Sequence, residues 1–442
     1  MNPGTLEEWL DFIGRQHSAE IDMGLDRVRA VWQRMGSPQA PLNIVVGGTN
    51  GKGSTCAMLE SIYRAAGYRT GFYSSPHFLR FNERVRIGGR EVADAPLVAA
   101  FAAVERARQA GTRPEPLTYF EFATLAALHL FASEPLDIGI LEVGLGGRLD
   151  AVNLVDGDVA IVVSVDLDHQ SYLGDTREAI GFEKAHLFRA GRPAIFADLA
   201  PPRTVVEHAA SLGAQWIALE QGYTYRVLES QWDFIAGAHA RRALPLPALR
   251  GRYQLKNAAS ALMAVACLEA RLPVSIGHIK RGLLEVEWPG RMQVLPGQPA
   301  VVLDVAHNPH AARALDQALG GMPFAQNSFA VFGMLRDKAI AGVISVLKDR
   351  FDHWFVAGLD GESARGATVK EVSAALAAQG LSSRVSGHLD IASAYAAARE
   401  RAGPNDRIVA FGSFFTVAEI LRLAPNRPHA AADDRSTGTD HR

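Results

Sequence analysis

Residues 43–55, NIVVGGTNGKGST, restrict more than any other stretch what this chain can fold into. A short β-branched run at 44–46 stops at two glycines, and a helical run, AMLESIYRAAG, begins soon after them. A strand, a glycine-rich turn and a helix in this order form a cradle for phosphate, because backbone N–H groups and the positive helix N-terminus approach the anion. Lys52 is placed to reach the outer phosphates. The sequence therefore predicts a phosphate-binding loop.

The loop departs from the usual phosphate-loop pattern at two positions. If Gly51 and Lys52 are the Gly-Lys pair, Val46 takes the place of the first glycine, and Gly53 follows the lysine where Ser or Thr is usual. A tight strand-to-helix turn that needs glycine only for steric reasons is the alternative interpretation. The strand and the helix on either side favour phosphate binding.

Size and composition narrow the class of protein. A chain of 442 residues has room for two or three domains, and 48% apolar with 21% charged residues is an ordinary globular composition. The net charge of −2 predicts no nucleic-acid-binding surface, and no window reaches the ~18 consecutive apolar residues of a membrane span. The N-terminus lacks the features of a signal peptide, and Cys56 and Cys267 indicate buried thiols in a reducing compartment. We therefore expect a cytoplasmic protein that binds neither nucleic acid nor membrane.

Three later strands end in side chains that suit a metal ion. The strand TGFYSSP leads into Ser75, Glu142 sits at the carboxyl end of the buried strand at 138–141, and the strand VAIVVSVD ends in Asp168 and His169. Ligands of α/β sheets gather beyond the carboxyl ends of strands, and hydroxyl and carboxylate oxygens bind Mg²⁺. A solvated Ser-Pro turn, a carboxylate that caps a loop and a structural histidine are the alternative interpretations.

Other polar stretches are ambiguous on their own. The aromatic residues at the helix start 118–121 either stack on a flat ring or belong to the core. The glycines at 144–147 let a ligand approach closely, and Asp150 follows them. Lys184, within a predicted helix, is by itself a solvated helix lysine.

A Pro-Gly pair at 289–290 marks the predicted domain boundary. We expect a first domain at 1–290, which begins with amphipathic helices and a capping box of Thr5 with Glu8. Past the boundary, strand–helix alternation starts again and predicts a smaller, mainly parallel sheet at 291–424. Residues 425–442 are polar, contain proline and lack periodicity, which predicts a disordered tail.

The phosphate loop, the metal-ligand candidates and the second domain together predict ATP held between two lobes. If a carboxylate attacks the γ-phosphate, each pair of like unit charges at ~4 Å costs about 4 kcal/mol at an effective dielectric of roughly 20. Since ~1.4 kcal/mol is a factor of ten in rate, cations must line the site. Lys52, Arg291 and a Mg²⁺ held by residues such as Ser75, Glu142 and His169 are the candidates.

The motifs GTNGKGS, SSPH, LEVGLGGRLDA, EKAHLFR and DVAHNP, with the pair Asp168-His169, occur in this order along the chain. Together they resemble folylpolyglutamate synthases of the Mur ligase superfamily, and above all the bifunctional dihydrofolate synthase/folylpolyglutamate synthases. The resemblance covers residues 5–422. It implies an α/β fold in which a Mur-ligase-like P-loop ATPase domain precedes a smaller Rossmann-like domain. It also implies an ATP-dependent ligase that joins L-glutamate to dihydropteroate, and to folates such as tetrahydrofolate, through an acyl phosphate.

The resemblance also implies roles for individual residues. The Mg²⁺ ligands are Ser75, Glu142 and His169. The residues that contact ATP are Asn50, Gly51, Lys52, Gly53, Ser54, Asn257, Arg291 and Asp304. The dihydropteroate pocket consists of Thr118, Tyr119, Phe120, Glu121, Leu149, Asp150 and Ala151. The catalytic residues are Lys52, Lys184, Asp304 and His307, and Ser413 joins His307 in positioning glutamate.

Two details of this assignment stay open. Lys184 matches a lysine that such enzymes carry as a carbamate, an anion that helps to bind a second Mg²⁺, and K⁺ is a further candidate ion. With Gly53 after the lysine, either Ser54 or Thr55, or neither, supplies the hydroxyl ligand of the phosphate loop.

Three other functions compete with this one. A peptidoglycan Mur ligase places a nucleotide-sugar-binding domain ahead of the phosphate loop, and only 46 residues precede Gly47 here. A monofunctional folylpolyglutamate synthase is harder to exclude, since the stretch TYFEF favours dihydropteroate only by resemblance. A nucleotide-dependent switch is disfavoured by Glu142, His169 and the complete second lobe. We expect a monomeric ligase.

Overall fold

A twisted eight-stranded sheet organises the first part of the chain in the computed structural model, which describes residues 3–19 and 21–424. Its strands are β1 (Asn43–Gly47), β2 (Thr70–Tyr73), β3 (Val85–Ile87), β4 (Arg90–Glu91), β5 (Ile138–Glu142), β6 (Val159–Val162), β7 (Pro193–Phe196) and β8 (Gln215–Ala218). Their spatial order is β4-β3-β2-β5-β1-β6-β7-β8, and only β3 and β4 are antiparallel to their neighbours. β1 lies between β5 and β6, which puts the phosphate loop at the middle of the sheet.

Helices cover both faces of this sheet. They are α1 (Leu6–Gly14), α2 (Asp26–Arg34), α3 (Lys52–Ala65), α4 (Asp94–Gln109), α5 (Tyr119–Ser133), α6 (Gln170–Leu173), α7 (Arg177–Ala185), α8 (Arg203–Leu212), α9 (Tyr253–Cys267) and α10 (Ile276–Glu285). Alternate residues of β1 belong to two different cores: Val45 packs with α1, α4 and α5, whereas Ile44 and Val46 pack with α3 and α9. Burial on both faces explains why β1 reads as one continuous apolar run.

One local prediction for this part is confirmed. α1 begins with the capping box of Thr5 and Glu8, in which each side chain accepts a hydrogen bond from the backbone N–H of the other residue. A separate small sheet contains β9 (Thr224–Val227) paired with β10 (Gln231–Ile235) as an antiparallel hairpin. A third strand, β11 (Arg241–Pro245), extends this small sheet and was not predicted.

A six-stranded sheet organises the rest of the described chain, as the strand–helix alternation predicts. Its strands are β12 (Gln293–Leu295), β13 (Ala300–Leu303), β14 (Ser328–Phe332), β15 (His353–Ala357), β16 (Val385–His388) and β17 (Arg407–Phe411). Their order is β12-β13-β17-β14-β15-β16, with only β12 antiparallel. Its helices are α11 (Pro309–Gly320), α12 (Ile340–Leu347), α13 (Val369–Ala378), α14 (Ile391–Arg401) and α15 (Phe414–Leu423).

The fold is therefore α/β with two large, mainly parallel sheets, as expected, and a small three-stranded antiparallel sheet. We call the part built on the eight-stranded sheet the first lobe and the part built on the six-stranded sheet the second lobe. The linker after α10 joins them, and the proposed boundary between residues 290 and 291 stays a prediction. The predicted tail at 425–442 lies outside the described residues. Within residues 3–19 and 21–424, no helix has the length and apolar character that a membrane crossing requires.

Candidate active site

A cavity of about 580 Å³ lies between the two lobes. The phosphate loop and the carboxyl ends of β2, β5 and β6 line it from the first lobe, and the ends of β13, β14 and β17 line it from the second. Fourteen predicted site residues line this cavity: Asn50, Gly51, Lys52, Gly53, Ser54, Ser75, Glu142, His169, Lys184, Asn257, Arg291, Asp304, His307 and Ser413. The structure thus brings together the predicted nucleotide, metal and glutamate residues.

The glycines of the phosphate loop are required by close contacts. Gly51 precedes α3 with φ of 91°, and a Cβ there would lie 2.7 Å from Asn257 Oδ1. A Cβ on Gly53 would lie 2.6 Å from Trp288 Nε1. The departure from the usual pattern at Gly53 therefore has a packing cause, since the Trp288 indole rests directly on the first turn of α3.

The polar side chains of the phosphate loop differ in whether they bond to the loop's own backbone or line the cavity. Lys52 Nζ donates to the carbonyl of Gly48 at 3.0 Å, so the lysine folds back over the loop. The Thr55 hydroxyl is buried and donates to the carbonyl of Gly51 at 3.0 Å, whereas Ser54 lines the cavity. Of the two candidate hydroxyl ligands, the geometry favours Ser54.

Glu142 and His169 have protonation properties that suit a metal ion. Glu142 is 5% exposed, and burial raises its pKa, while the charges of Lys52 and Arg291 lower it. Burial lowers the pKa of His169 to about 4, despite the opposing charge of Asp168, so the imidazole is neutral at pH 7 and able to bind a metal. His169 also has φ of 50°, in the left-handed region that non-glycine residues seldom adopt.

No group of three or more His, Cys, Asp and Glu side chains suited to a metal ion occurs in the part of the chain that the structure describes. The donors on the cavity wall are instead of mixed type: the Glu142 carboxylate, the His169 ring and the Ser75 hydroxyl. Such a set fits Mg²⁺, which usually keeps waters and takes oxygens from nucleotide phosphates in addition to one or two protein ligands.

Lys184 is a buried lysine at the cavity wall, not the solvated helix lysine of the alternative interpretation. It is 4% exposed and lies in the last turn of α7. Gly147 lets this helix approach, since a Cβ there would lie 2.6 Å from the Glu183 carbonyl and 3.1 Å from Lys184 Cα. Burial, together with the charge of Lys52, lowers the pKa of Lys184 to about 7.

The second lobe contributes polar groups at fixed positions. Asp304 accepts backbone hydrogen bonds from Met292 and Ala306, both at 2.9 Å. Burial raises the pKa of Asp304, and the charge of Arg291 opposes this rise. The Arg291 guanidinium lies 5.2 Å from the centre of the Phe414 ring.

Asn257 and Ser413 are held by local hydrogen bonds. Asn257 Nδ2 donates to Gln254 Oε1 at 2.9 Å, one turn earlier in α9. The Ser413 hydroxyl accepts from the Phe415 N–H at 3.2 Å and thereby caps α15. Both side chains therefore reach the cavity from helix starts of defined geometry.

One group of residues joins the lobes, and of its members only Asn50 has a role in the sequence-based assignment. We call Asn50, Asp168, Asn308 and Lys338 the Asp168 cluster. Lys338 Nζ lies 2.6 Å from Asp168 Oδ1, and Asn308 Nδ2 donates to Asp168 Oδ2 at 3.0 Å.

His307 lies beside this cluster, with Nδ1 2.7 Å from the Val305 carbonyl and Nε2 3.4 Å from Asp168 Oδ2. Burial acts to raise the pKa of Asp168, but the hydrogen bond from His307 and the charges of His307 and Lys338 hold it well below its usual range. Asp168 and Asn308 stand inside recognised motifs, whereas Lys338 was missed. Its only sequence signal is its place in a polar stretch after the strand SFAVF.

The seven predicted pterin-pocket residues do not line the cavity: Thr118, Tyr119, Phe120, Glu121, Leu149, Asp150 and Ala151. Two of them have structural partners. The Glu121 carboxylate pairs with the Arg27 guanidinium, and together with Thr118 it forms the capping box at the start of α5. Asp150 accepts the N–H groups of Leu145 and Val152.

The aromatic members of this set stand directly behind the cavity wall. The Tyr119 ring lies 5.4 Å from the guanidinium of Arg84, and a Cβ on Gly144 would lie 2.6 Å from Phe120 Cζ. Arg84 and Gly144 both line the cavity. Arg84 and Gly144 therefore separate the Tyr119 and Phe120 rings from a ligand at this end of the cavity. The role of the two rings in pterin binding stays a prediction.

Comparisons with known proteins agree with this geometry. A family model described as Mur ligase middle domain matches residues 46–265, and one described as Mur ligase, glutamate ligase domain matches residues 290–414. The chain is 43% identical to the dihydrofolate synthase/folylpolyglutamate synthase of Escherichia coli strain K12 over 423 residues, which is 96% of each chain.

Two solved structures are similar over almost their whole length. A structure of E. coli FolC in complex with DHPP and ADP has a TM-score of 0.89 at 42% identity and covers 95% of this chain and 97% of that one. A bifunctional folylpolyglutamate synthase/dihydrofolate synthase with Mn, AMPPNP and L-glutamate bound has a TM-score of 0.87 at 41% identity, covering 96% and 99%.

Proposed function

Since the chain belongs to the Mur ligase family, among the dihydrofolate synthase/folylpolyglutamate synthases, we propose that the cavity between its lobes is where it ligates L-glutamate to dihydropteroate and to folylpolyglutamates. One observation carries this proposal. A phosphate loop from the first lobe and the residues Asp304, His307 and Ser413 from the second face the same cavity. A substrate carboxylate in this cavity is therefore within reach of a nucleotide on one wall and of an amino acid on the other.

ATP binds on the phosphate loop in this proposal. Backbone N–H groups at 50–54 and the N-terminus of α3 surround the β- and γ-phosphates, and Lys52 turns from the Gly48 carbonyl toward the γ-phosphate. Asn257 contacts the nucleotide from α9, and Arg291 and Asp304 contact it from the second lobe. The nucleotide thereby spans the linker between the lobes.

Ser75, Glu142 and His169 would hold a divalent metal ion. Mg²⁺ held there would supply positive charge that offsets the charges of the phosphates and of the substrate carboxylate. Burial raises the pKa of Glu142, whereas the charges of Lys52 and Arg291 favour the ionised carboxylate that a cation would bind. The neutral His169 ring offers a nitrogen without first losing a proton.

Lys184 carries a carbamate in its active form. The neutral amine attacks CO₂ and loses one proton, which leaves an N-carboxylate in place of a cation. A pKa of about 7 makes the neutral amine abundant at physiological pH, and a buried anion at this wall offers oxygens to a second metal ion. K⁺ remains a further candidate ion for the same cavity.

Ligation proceeds in two balanced steps. A substrate carboxylate oxygen attacks the γ-phosphorus of ATP, so an acyl phosphate forms and ADP leaves. The amine of L-glutamate then attacks the acyl carbon, phosphate leaves, and the amine loses a proton. His307 and Ser413 position the glutamate, and the pterin end of the acid lies toward Tyr119 and Phe120.

Phosphate release and product mass test this proposal together. The purified chain is given ATP, Mg²⁺ and L-glutamate with either dihydropteroate or tetrahydrofolate. We expect phosphate release only when acid and glutamate are both present, and products heavier than each acid by one or more glutamate residues. Turnover of ATP without either substrate indicates a switch, and product from tetrahydrofolate alone indicates a monofunctional synthase. Lys370→Ala, an exposed lysine of α13, is the matched control for lysine substitutions in the site.

A further inference from the structure

The buried carboxylate of Asp168, in the first lobe, contacts two side chains of the second lobe beside the cavity. Asp168 follows β6 in the first lobe, while Asn308 begins α11 and Lys338 lies in the loop after β14, both in the second lobe. The three side chains are 9%, 2% and 6% exposed, respectively. Two separate loops of the second lobe therefore converge on a single side chain of the first.

The Asn308 amide uses its full hydrogen-bonding capacity in this contact. Its Nδ2 donates to Asp168 Oδ2 at 3.0 Å and to Asn50 Oδ1 at 3.1 Å. Its Oδ1 accepts from Asn50 Nδ2 at 3.1 Å and from the Ala311 N–H at 2.8 Å. Asn308 thus ties the start of α11 both to the phosphate loop and to Asp168, and a fully satisfied buried network of this kind specifies one arrangement.

Lys338 adds a buried charge to the same contact. Its Nζ lies 2.6 Å from Asp168 Oδ1 and 3.1 Å from His169 Nε2. Removing one partner of a buried ion pair is costly, because the other charge is left buried without compensation. Without Asp168, the loop that carries Lys338 would have to move toward solvent.

We propose that Asp168 is a positioning residue for ligation, whose carboxylate holds Asn308 and Lys338 and thereby sets the spacing between the phosphate loop and the glutamate side of the cavity. The inference rests on the proposed function, since it takes ATP to lie on the loop at 48–54 and glutamate near His307. Asp168 acts through its partners and touches neither the γ-phosphate nor the glutamate amine.

The spacing matters because the two steps place different demands on the lobes. The phosphates of the nucleotide bind on the phosphate loop of the first lobe. The attack of the amine, in contrast, needs the glutamate side of the second lobe to meet an acyl phosphate formed against the first. A misplacement of ~1 Å can cost about 10²-fold in rate. Loosening the Asp168 cluster should therefore impair ligation while it spares nucleotide affinity.

The chain offers a matched control in the same loop. Asp166 also bonds across the lobes, to Arg313 at 3.3 Å, but these side chains are 28% and 54% exposed. Exposed ion pairs contribute little. Asp166→Asn therefore removes a carboxylate from an interlobe contact two residues away without disturbing the cluster.

The test compares Asp168→Asn, Lys338→Met and Asp166→Asn in the full chain. We expect the first two to lower kcat by about 10- to 100-fold and to raise the KM for glutamate, with the Kd for MgADP within about twofold of the parent. The double variant should be no worse than the poorer single variant, because both changes break the same contact. Asp166→Asn should match the parent.

Different outcomes overturn different parts of the argument. Parent-like ligation by Asp168→Asn, or an equal loss in Asp166→Asn, overturns the positioning role. So does a loss of MgADP affinity in Lys338→Met as large as its loss of ligation, since Lys338 would then serve nucleotide binding. If Asp168→Asn fails to fold, Lys338→Met and Asn308→Ala decide the question. A parent chain that does not ligate under the same conditions overturns the proposed function instead.

Discussion

The two walls of the cavity are built from different materials. The phosphate loop of the first-lobe wall presents main-chain groups, because the glycines at 48, 51 and 53 carry no side chains, and β5 ends in the buried Glu142. The second-lobe wall presents side chains on loops and helix starts, such as His307, Lys338 and Ser413. In the proposed function, the first lobe therefore binds the phosphates through its backbone, whereas the second lobe contributes side chains whose positions depend on how that lobe is held.

Lys52→Ala tests the first-lobe wall with the largest expected effect. Removing the cation that reaches the γ-phosphate should lower kcat by about 10²–10³-fold and weaken MgATP binding as well. Steady-state rates and calorimetric titration with MgADP measure both, with Lys370→Ala as the control. Near-normal turnover would show that Lys52 does not take part in the reaction, and it would contradict the assignment of phosphate binding to the first-lobe wall.

His307→Ala tests the opposite wall. We expect the KM for glutamate to rise about 10- to 100-fold, because the ring held between the Val305 carbonyl and Asp168 is lost. The Kd for MgADP should stay within about twofold of the parent. If nucleotide affinity falls as much as glutamate affinity, the two walls do not divide the substrates in the way proposed here.

Glu142→Gln tests the metal ligand of the first lobe. The amide keeps the shape of the side chain but loses the charge, so half-maximal rate should need about tenfold more Mg²⁺. Titration of initial rates with Mg²⁺ at saturating ATP measures the shift. Superimposable curves for variant and parent would show that Glu142 does not bind the ion directly.

Formation of a carbamate on Lys184, at the first-lobe wall, should depend on pH. Since its pKa is lowered to about 7, the neutral amine that reacts with CO₂ becomes more abundant as pH rises through that value. The carbamate signal of the protein in isotope-labelled bicarbonate should therefore grow between about pH 6 and about pH 8, as followed by NMR. Lys184→Arg should give no such signal, and a parent spectrum without it would refute the carbamate.

Gly53→Ala has the smallest expected effect and concerns packing. The new Cβ would lie 2.6 Å from Trp288 Nε1, and overpacking of this kind costs ~1–3 kcal/mol of unfolding free energy. Urea denaturation measures this loss, and Gly14→Ala, with nothing within 4 Å of its Cβ, is the control. Adding Trp288→Phe should restore part of the stability; failure to do so would mean that Gly53 serves the phosphate loop rather than the indole.

The sequence predicted the first-lobe wall well because its signals are local. A β-branched run, glycines and a helix within 43–65 are enough to indicate the phosphate loop, and the pair Thr5 and Glu8 is enough to indicate a capping box. The large parallel sheets follow from apolar runs of ordinary length. β11 and β16 were missed because their sequences, RRALP and VSGH, are short and lack a continuous apolar run.

The contacts between the lobes were beyond the reach of sequence patterns. Lys338 and Asp168 are 170 residues apart, and no local periodicity connects them. Trp288 and Gly53 are likewise far apart in the sequence, and they meet only when the first lobe has folded. Residues 118–121 are a different case, because their sequence fits two roles. A capping box and aromatic rings suit a ligand pocket, but they also suit the structural position behind the cavity wall that these residues occupy.

The Trp288 indole stands at a mechanical joint. It immediately precedes the turn at 289–290 that joins the lobes, and its ring lies on Gly53 at one side and near Phe72 at the other. Trp288 therefore links the start of the interlobe linker directly to the phosphate loop through one side chain. A substitution that displaces this indole should disturb both the loop at Gly53 and the path of the linker.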